Sequence, residues 1–408
     1  MNREKTLDSI PIDLFLEIFS RLPTYSVGRS RCVSKQWASI LGRQDFTELF
    51  LTRSSTRPFL LFALQPYHGG EWLLYSLLQP QNPYEKSIEV TADFHTKFPR
   101  SPYDCIYSSG LLCFPAVWIS KNKGDDAAPV ICNPSTGHYA ILPKLRMDKK
   151  TRSFLGFDPI EKQFKVLFMM GIVGSERVNL ILTLGTGKMR WRNIQCPFTL
   201  NPFRLCEGIC INGVLYYLAK HIDERNQKCY VIVCFDVRSE KSKFLDSVCL
   251  FDQLINYKGK LGGFYLNYAS SDGFPLKLTM WVLEDVEKQE WSKYVYTVWD
   301  ESKTLKVDHK LSVVGMTARG DIVLAEKDTS NLLYVFYFNP ERNTLQSIKI
   351  RGFEYHGKVS VFLDHVEDLN VNDTKILKSS VYAHLQQDRC TFESSNKFDA
   401  LCLSDDDD

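Results

Sequence analysis

The first fifty residues carry apolar side chains at the spacing of an α-helix. Between Pro11 and Pro23 these side chains recur three and four residues apart, which places them on one helical face. Pro11 suits a first helical turn, and Pro23 ends the helix because the residue before a proline is pushed toward extended geometry. The apolar face consists of Leu14, Phe15, Ile18, Phe19 and Leu22.

A second helix is predicted in the segment CVSKQWASIL, where Val33, Trp37, Ile40 and Leu41 share one face. The two segments form a module of roughly forty residues, which buries too little surface to be stable alone. Its apolar faces therefore need a partner. Periodicity leaves two choices open, the protein's own body or another protein.

From about Arg57 the pattern changes to short strands that repeat. One unit is a strand, a tight turn with glycine and a second strand, and it occurs around Gly110, Gly213 and Gly320. A second unit is an apolar strand, an Asx-initiated turn and another strand. It occurs as VICNPSTGHYAILPK, VIVCFDVRSEKSKFL and LYVFYFNPERNTLQSIKI, with Asn133, Asp236 and Asn339 in corresponding places.

Together the two units make four strands, and such sets repeat every forty to fifty residues, which indicates a β-propeller. FLLFALQ, WLLYSLLQ and SIEVTADF supply three further strands, and GKVSVFLDH at residues 357–365 is expected to close a sixth blade. Closure removes exposed sheet edges. A large open β-sandwich is the alternative. The five sets cover residues 103–147, 152–197, 204–247, 260–310 and 312–351.

Composition narrows the function. The formal net charge is +2 over 408 residues, which argues against a broad nucleic-acid or membrane surface. The start of the chain lacks the pattern of a secretory signal, and most of the 12 cysteines lie in apolar stretches, as buried free thiols do. We therefore expect a cytoplasmic or nuclear protein.

No catalytic motif, cofactor motif or metal-ligand set is evident, so we expect no enzyme activity and no cofactor. Cys206 and Cys210 lack a second ligand pair at the spacing of a zinc site. The chain ends in SSNKFDALCLSDDDD, which is acidic and aperiodic. Residues 367–408 are therefore predicted to be a disordered tail.

The N-terminal residues resemble the F-box of plant proteins. The resemblance rests on Ile10-Pro11, Asp13-Leu14, Glu17-Ile18, Arg21-Leu22-Pro23 and the run RCVSKQW at residues 31–37. It implies that the helices bind a Skp-type adaptor of a cullin-based ubiquitin ligase, and a helical apolar face is a known recognition mode. The implied adaptor-facing residues are Ile10, Pro11, Leu14, Ile18, Leu22, Pro23, Val27, Val33 and Trp37.

Two residues depart from the F-box pattern. Gly28 lies within the predicted second helix, where glycine costs about 1 kcal/mol relative to alanine. Ser30 stands where the family usually has an aromatic or aliphatic residue. Either change is expected to weaken the grip on the adaptor or to shift the helix boundary.

The body resembles the kelch-like F-box associated domain, through LINYKGKLGGF, MWVLEDVEKQEWSKYVYTVWD and FDPIEKQFKVL. The expected fold is α+β and multidomain: a helical F-box over residues 1–50, an all-β propeller of about six blades over residues 51–366, and the tail. The implied function is a substrate receptor of a Skp–cullin–F-box ligase that binds a target protein. The rivals are an interaction propeller with a degenerate F-box and a kelch-type propeller enzyme.

Target binding is expected on the propeller face that carries the links from second to third strands, since binding residues concentrate on loops held by a rigid scaffold. These links are predicted at residues 120–128, 220–227, 285–290 and 326–331. Tolerant surface loops without a binding role are the alternative. The candidate target-binding residues are Lys121, Lys123, Asp125, Asp126, Asp223, Glu224 and Arg225.

Overall fold

The computed structural model places helices first and strands after them. The helices are α1 (Ile12–Phe19), α2 (Thr24–Arg31), α3 (Lys35–Leu41) and α4 (Gln44–Ser55). The described residues are 11–67, 69–80, 82–84, 88–101, 104–118, 127–145, 151–173, 176–186, 189–194, 201–202, 206–222, 228–268, 275–299, 311–329, 332–353, 355–369, 377 and 379–380.

The strands begin four residues after α4. In chain order they are β1 (Phe59–Pro66), β2 (Trp72–Leu78), β3 (Ile88–Thr91), β4 (Asp93–Phe98), β5 (Ile106–Ser108), β6 (Leu111–Trp118), β7 (Ala127–Cys132), β8 (His138–Ile141), β9 (Arg152–Asp158), β10 (Gln163–Val173), β11 (Glu176–Thr183), β12 (Arg192–Asn193), β13 (Asn201–Pro202), β14 (Ile209–Ile211), β15 (Val214–Ile222), β16 (Lys228–Asp236), β17 (Ser242–Asp246), β18 (Gln253–Tyr257), β19 (Lys260–Tyr268), β20 (Leu276–Asp285), β21 (Glu290–Val298), β22 (Leu311–Met316), β23 (Ile322–Glu326), β24 (Asp328–Thr329), β25 (Leu333–Asn339), β26 (Thr344–Arg351), β27 (Gly357–His365) and β28 (Ser379–Ser380).

The helical module has its own apolar core. Side chains from α1, α2, α3 and α4 meet there, and Leu369, from beyond the last propeller strand, is buried among them. Ser34 caps α3 by accepting a hydrogen bond from the Trp37 N–H at 3.1 Å. Val33 therefore lies before α3, although the sequence pattern placed it on the helix. The core consists of Phe15, Phe19, Val27, Leu41, Phe46, Phe50 and Leu369.

The strands form six sheets that are the blades of a propeller, which confirms the predicted fold, and the strands within each blade pair antiparallel. Blade 1 is β5–β8, blade 2 is β9–β12, blade 3 is β14–β17, blade 4 is β18–β21, blade 5 is β22, β23, β25 and β26, and blade 6 is β27, β1, β2 and β4. The short strands β13, β24 and β28 and the strand β3 extend blades 3, 6, 1 and 5 respectively.

Two details of the predicted repeat are wrong. Blade 4 begins with β18, so its boundaries precede the predicted 260–310 set. The segment SIEVTADF is divided: β3 pairs in parallel with β26 of blade 5, and β4 completes blade 6. The first error concerns a local hairpin of β18 with β19, whereas the second concerns β3, whose partner β26 is distant in sequence.

The closing strand is where the repeat pattern predicted it. β27 pairs antiparallel with β1, from Phe59 opposite His365 to Pro66 opposite Gly357. The two ends of the propeller chain thus share blade 6, which leaves no open edge between the first and last blades.

The core of the propeller lies between the blades. Six buried clusters fill the six junctions between neighbouring blades. In β1, for example, Leu60 and Phe62 face blade 5, whereas Leu61 and Ala63 face blade 1. This alternation explains why so many strands read as continuous apolar runs, because both faces of each sheet are buried.

A buried polar cluster joins the closing strand to blade 1. The two ring nitrogens of His365 lie 3.0 Å from the Tyr107 hydroxyl and 2.9 Å from the Ser135 hydroxyl. Tyr107 also stacks on Phe362, with ring centroids 5.1 Å apart. These contacts hold β27 against its neighbour in addition to the β1 pairing.

The tight turns have the predicted chemistry. Gly110, Gly213 and Gly320 have φ of +88°, +83° and +94°, which glycine adopts without strain. In the second kind of turn, the Asn133 side chain accepts the Ser135 N–H at 2.9 Å. The same motif recurs at Asp236 with the Ser239 N–H and at Asn339 with the Arg342 N–H.

Candidate functional site

The first candidate site is an apolar surface on the helical module. Leu14 and Ile18 lie one turn apart on α1 and are 54% and 52% exposed, and Val33 is 65% exposed. Leu14 and Ile18 are adjacent on one face of α1, and contiguous exposed apolar surface marks interaction sites. We call Leu14 and Ile18 the apolar row; Val33 lies between α2 and α3.

The predicted apolar face of α1 is divided in two. Phe15 and Phe19 turn inward, where each packs edge-on against Trp37 at centroid distances of 5.2 and 5.0 Å. Their neighbours Leu14 and Ile18 turn outward. The module therefore has a core of its own and still leaves an apolar surface uncovered.

The other predicted adaptor residues fall into three groups. Pro11 and Pro23 are exposed, Leu22 and Trp37 are half-buried, and Val27 is fully buried. A side chain without exposed surface stabilises the module instead of contacting a partner, so the surface proposed below excludes Val27. Ile10 lies outside the described residues.

The sequence pattern missed two other exposed side chains of the helical module. Ile12, in the first turn of α1, is 46% exposed, and Tyr25, in the first turn of α2, is 56% exposed. Tyr25 also accepts a hydrogen bond from Arg29 at 2.8 Å and lies under its guanidinium. Neither residue belongs to the periodic face that predicted the helices, which is why periodicity did not select them.

Ion pairs hold the first helix against the fourth. The Glu17 carboxylate accepts hydrogen bonds from Arg21, one turn later, and from Arg53 of α4. The Arg21 contact is the main cause that lowers the pKa of Glu17, and Arg53 lowers it further. This network fixes α1, which carries Leu14 and Ile18, on the segment that leads into the propeller.

The chain also returns to the module after its last propeller strand. The backbone N–H of Thr24, at the start of α2, donates to the two carboxylate oxygens of Glu367 at 3.2 and 3.4 Å. Glu367 is buried, which raises its pKa, whereas the Thr24 contact lowers it. Leu369 then enters the module core. Leu369 and Leu377, which is also buried, both fall in the segment that the sequence predicted to be disordered.

The second candidate site is the propeller face that carries the links from second to third strands. The candidate target-binding residues in the links at 120–128 and 220–227 lie outside the described residues. One predicted link is wrong: residues 285–290 join β20 to β21, the third and fourth strands of blade 4, and so lie on the opposite face. The link from second to third strand of that blade follows β19.

Two further features bear on function. Within the described ranges, no three His, Cys, Asp or Glu side chains are grouped as a metal ion would require. Cys206 and Cys210 are free thiols, and burial raises the pKa of both. None of the four helices in the described part of the chain has the length and apolarity needed to cross a membrane.

Fold and surfaces define a two-part protein, a small helical module with an apolar surface joined to a six-bladed propeller. A family model described as an F-box domain matches residues 7–49, and one described as an F-box associated beta propeller domain matches residues 59–367. The chain therefore belongs to the F-box proteins that carry an F-box associated propeller.

Relatives support this family. The Arabidopsis thaliana F-box protein At3g57590 is 52% identical over 396 residues, which cover 92% of this chain and 94% of the relative. F-box only protein 12 of the same plant is 50% identical over 395 residues, which cover 93% and 87%. A six-bladed fungal lectin from Aleuria aurantia covers 76% of this chain and 97% of its own at 9% identity and a TM-score of 0.37, too low to carry an argument.

Proposed function

We propose that this protein is the substrate-recruiting receptor of a Skp–cullin–F-box ubiquitin ligase. The F-box would bind a Skp-type adaptor, and through it a cullin, while the propeller binds a target protein. The observation that carries the proposal is the apolar row. It lies on a module that already has a buried core, so its exposure is not explained by incomplete packing.

The proposed receptor role requires no catalytic group in this chain. A receptor that holds its target beside a charged ubiquitin carrier raises the effective concentration of the two, which makes transfer nearly intramolecular. Other subunits would supply the transfer chemistry. Such a receptor would act in the cytoplasm or the nucleus.

Target recognition is proposed on the face with the links from second to third strands. The propeller fixes the ends of these links through its interlocked blades, as a rigid scaffold for binding loops does. The residues offered for this role are Lys121, Lys123, Asp125 and Asp126 in one link and Asp223, Glu224 and Arg225 in another.

The adaptor contact is tested by coprecipitation of the full chain with a purified Skp-type adaptor. Replacing Leu14 and Ile18 together by Asp should abolish binding, because each charge would be buried unpaired in a dry contact at a cost of several kcal/mol. Folding should be retained, since both side chains already face solvent. The matched control is Ile160→Asp, at a propeller turn where the side chain is 70% exposed.

Each outcome decides between the proposal and its first rival. Loss of binding in the double variant, with normal binding by the Ile160 variant, supports the receptor. A wild-type chain that is folded but does not bind the adaptor would favour an interaction propeller with a degenerate F-box. Equal binding by all three chains would mean that the contact lies elsewhere.

A further inference from the structure

A cavity of about 560 Å³ lies among the inner strands of the propeller. The cavity is lined by the first residues of several inner strands and by the residues just before them. These strand starts lie on the propeller face that carries the links from second to third strands, so the cavity opens on that face. A second cavity of about 360 Å³ continues toward the other face. Both are lined by Glu207, Gln253, Val314 and Phe362, and together they form a channel along the propeller axis.

The larger cavity is lined by three carboxylates, and two of them have protein partners. Asp104 pairs with the ammonium group of Lys358 at 2.6 Å. Asp252 accepts a hydrogen bond from the Leu266 N–H at 2.8 Å. Among the described residues, no hydrogen bond or ion pair is seen at the side chain of Glu207, the third carboxylate.

Glu207 lines the channel with an exposed side chain. Burial among the inner strands raises the pKa of its carboxyl group, and the charge of Asp104 raises it further. A carboxylate inside a channel gains more from a direct cation contact than one on the outer surface does, since less solvent screens the contact there.

The nearby cationic side chains do not supply a direct contact to Glu207. Lys358 is held by Asp104, Arg152 has an interaction of its own, and Lys327 has an exposed side chain at the rim. All three lower the pKa of Glu207, but none of them hydrogen-bonds to it in the described part of the chain.

The rest of the lining is mixed, with polar residues such as Gln253, Ser312 and Ser360 beside aliphatic ones, and it includes two aromatic rings. Phe362 lies at the junction of the two cavities, and Tyr268 lies in the larger one with its hydroxyl group donated to the Leu311 carbonyl at 3.0 Å. Aliphatic stems of cationic groups pack on such surfaces, and aromatic faces attract the charge.

We propose that the channel binds a ligand through an ammonium or guanidinium group that pairs with Glu207, while the aliphatic stem packs on Phe362 and Tyr268. Two sources carry this chemistry, a free organic cation and a basic side chain of a bound protein. The second source rests on the proposed target-binding function, and the first does not.

The test is calorimetric titration of the full chain with three probes. Agmatine represents a free cation, acetyl-Gly-Arg-Gly-amide represents a protein side chain, and acetyl-Gly-citrulline-Gly-amide is the neutral isostere. We expect agmatine, the arginine peptide or both to bind, and citrulline to bind at least tenfold more weakly. Glu207→Gln should weaken binding of the cation by about tenfold or more. Glu341→Gln, at an exposed turn between β25 and β26, is the matched control and should leave binding unchanged.

The outcomes separate the sources and can overturn the inference. Binding of agmatine alone assigns a free cation, and stronger binding of the arginine peptide assigns a protein side chain. No binding of either at ~10 mM, about tenfold above a millimolar Kd, contradicts the site. Equal binding of the citrulline peptide also contradicts the site. Unchanged binding of the cation by a Glu207→Gln variant with a normal melting curve contradicts it as well. Adaptor coprecipitation of the same variant should be normal, so failure here is distinct from failure of the receptor proposal.

Discussion

Leu369 offers the sharpest test of how the F-box is attached to the propeller. The residue follows the closing strand β27, yet its side chain is only 5% exposed within the core of the helical module. Replacing it by Ala would leave a cavity among Phe15, Phe19 and the other core residues. The module has few buried side chains, so it has little reserve against such a loss.

The expected cost follows from the burial. Leu-to-Ala changes at buried positions destabilise by about 2–5 kcal/mol, through lost transfer free energy and the cavity. A loss of about 3 kcal/mol corresponds to roughly a hundredfold more open module. The propeller has its own six clusters between blades, and Leu369 belongs to none of them.

Hydrogen exchange of the intact chain measures this effect by region. Amides in residues 12–55 should exchange about a hundredfold faster in Leu369→Ala, while those in residues 59–98 stay unchanged. The control is Leu78→Ala at the end of β2, where the side chain is 49% exposed and the change should stay within about 0.5 kcal/mol. Unchanged exchange in the module would refute the reasoning. Equal acceleration throughout the chain would show that module and propeller unfold as one unit.

Three further predictions follow from the same structure. Gly28→Ala should stabilise the module by up to about 1 kcal/mol in urea unfolding, because a Cβ there meets nothing within 4 Å, and destabilisation would contradict this. Burial, and to a lesser extent His95, lowers the pKa of His365 to about 3. The contribution of His365 to the free energy of unfolding should therefore be complete above pH ~6.5. It should fall by up to ~1.4 kcal/mol per pH unit as the pH drops toward 3. In His365→Gln the free energy of unfolding should depend less steeply on pH. Equal slopes in the wild type and the variant would rule out His365 as the cause. Deleting residues 355–408 removes β27 and should abolish cooperative melting, whereas deleting residues 1–50 should preserve it; parent-like melting of the first deletion would contradict closure by β27.

Much of the propeller was predictable because its signals are local. The glycine turns and the Asx turns each depend on a few adjacent residues, and they repeat at the blade spacing. The strand β27 was predictable for another reason. Beyond the five four-stranded sets, the sequence offered three further strands, so a sixth blade lacked one strand. The pattern failed for β18, although this strand forms a local hairpin with β19, and for β3, whose partner is distant. The parallel contact of β3 with β26 joins segments about 260 residues apart, and no local residue choice encodes it.

The candidate adaptor surface was predicted in part. Helical periodicity identifies an apolar face, but it does not say which of two adjacent rows meets the module's own core. In α1 that decision depends on Trp37 and α4, which put Phe15 and Phe19 inside and leave Leu14 and Ile18 outside. Glu367 was missed because its partner, the Thr24 N–H, lies 343 residues away.

The channel was also beyond sequence reasoning. Asp104, Glu207 and Asp252 stand far apart in the chain, each just before a strand at the propeller axis. Only the closed ring brings them around one cavity. A scattered set of carboxylates has no spacing that a linear pattern detects.

The central claim is that the helical module connects this propeller to a ubiquitin ligase. Size-exclusion chromatography of the full chain mixed with a Skp-type adaptor and a cullin N-terminal domain tests it most directly. We expect one complex that contains all three proteins. The variant in which Leu14 and Ile18 are both replaced by Asp should elute alone and keep an unchanged melting curve. A folded wild-type chain that elutes apart from the adaptor and cullin would contradict the account.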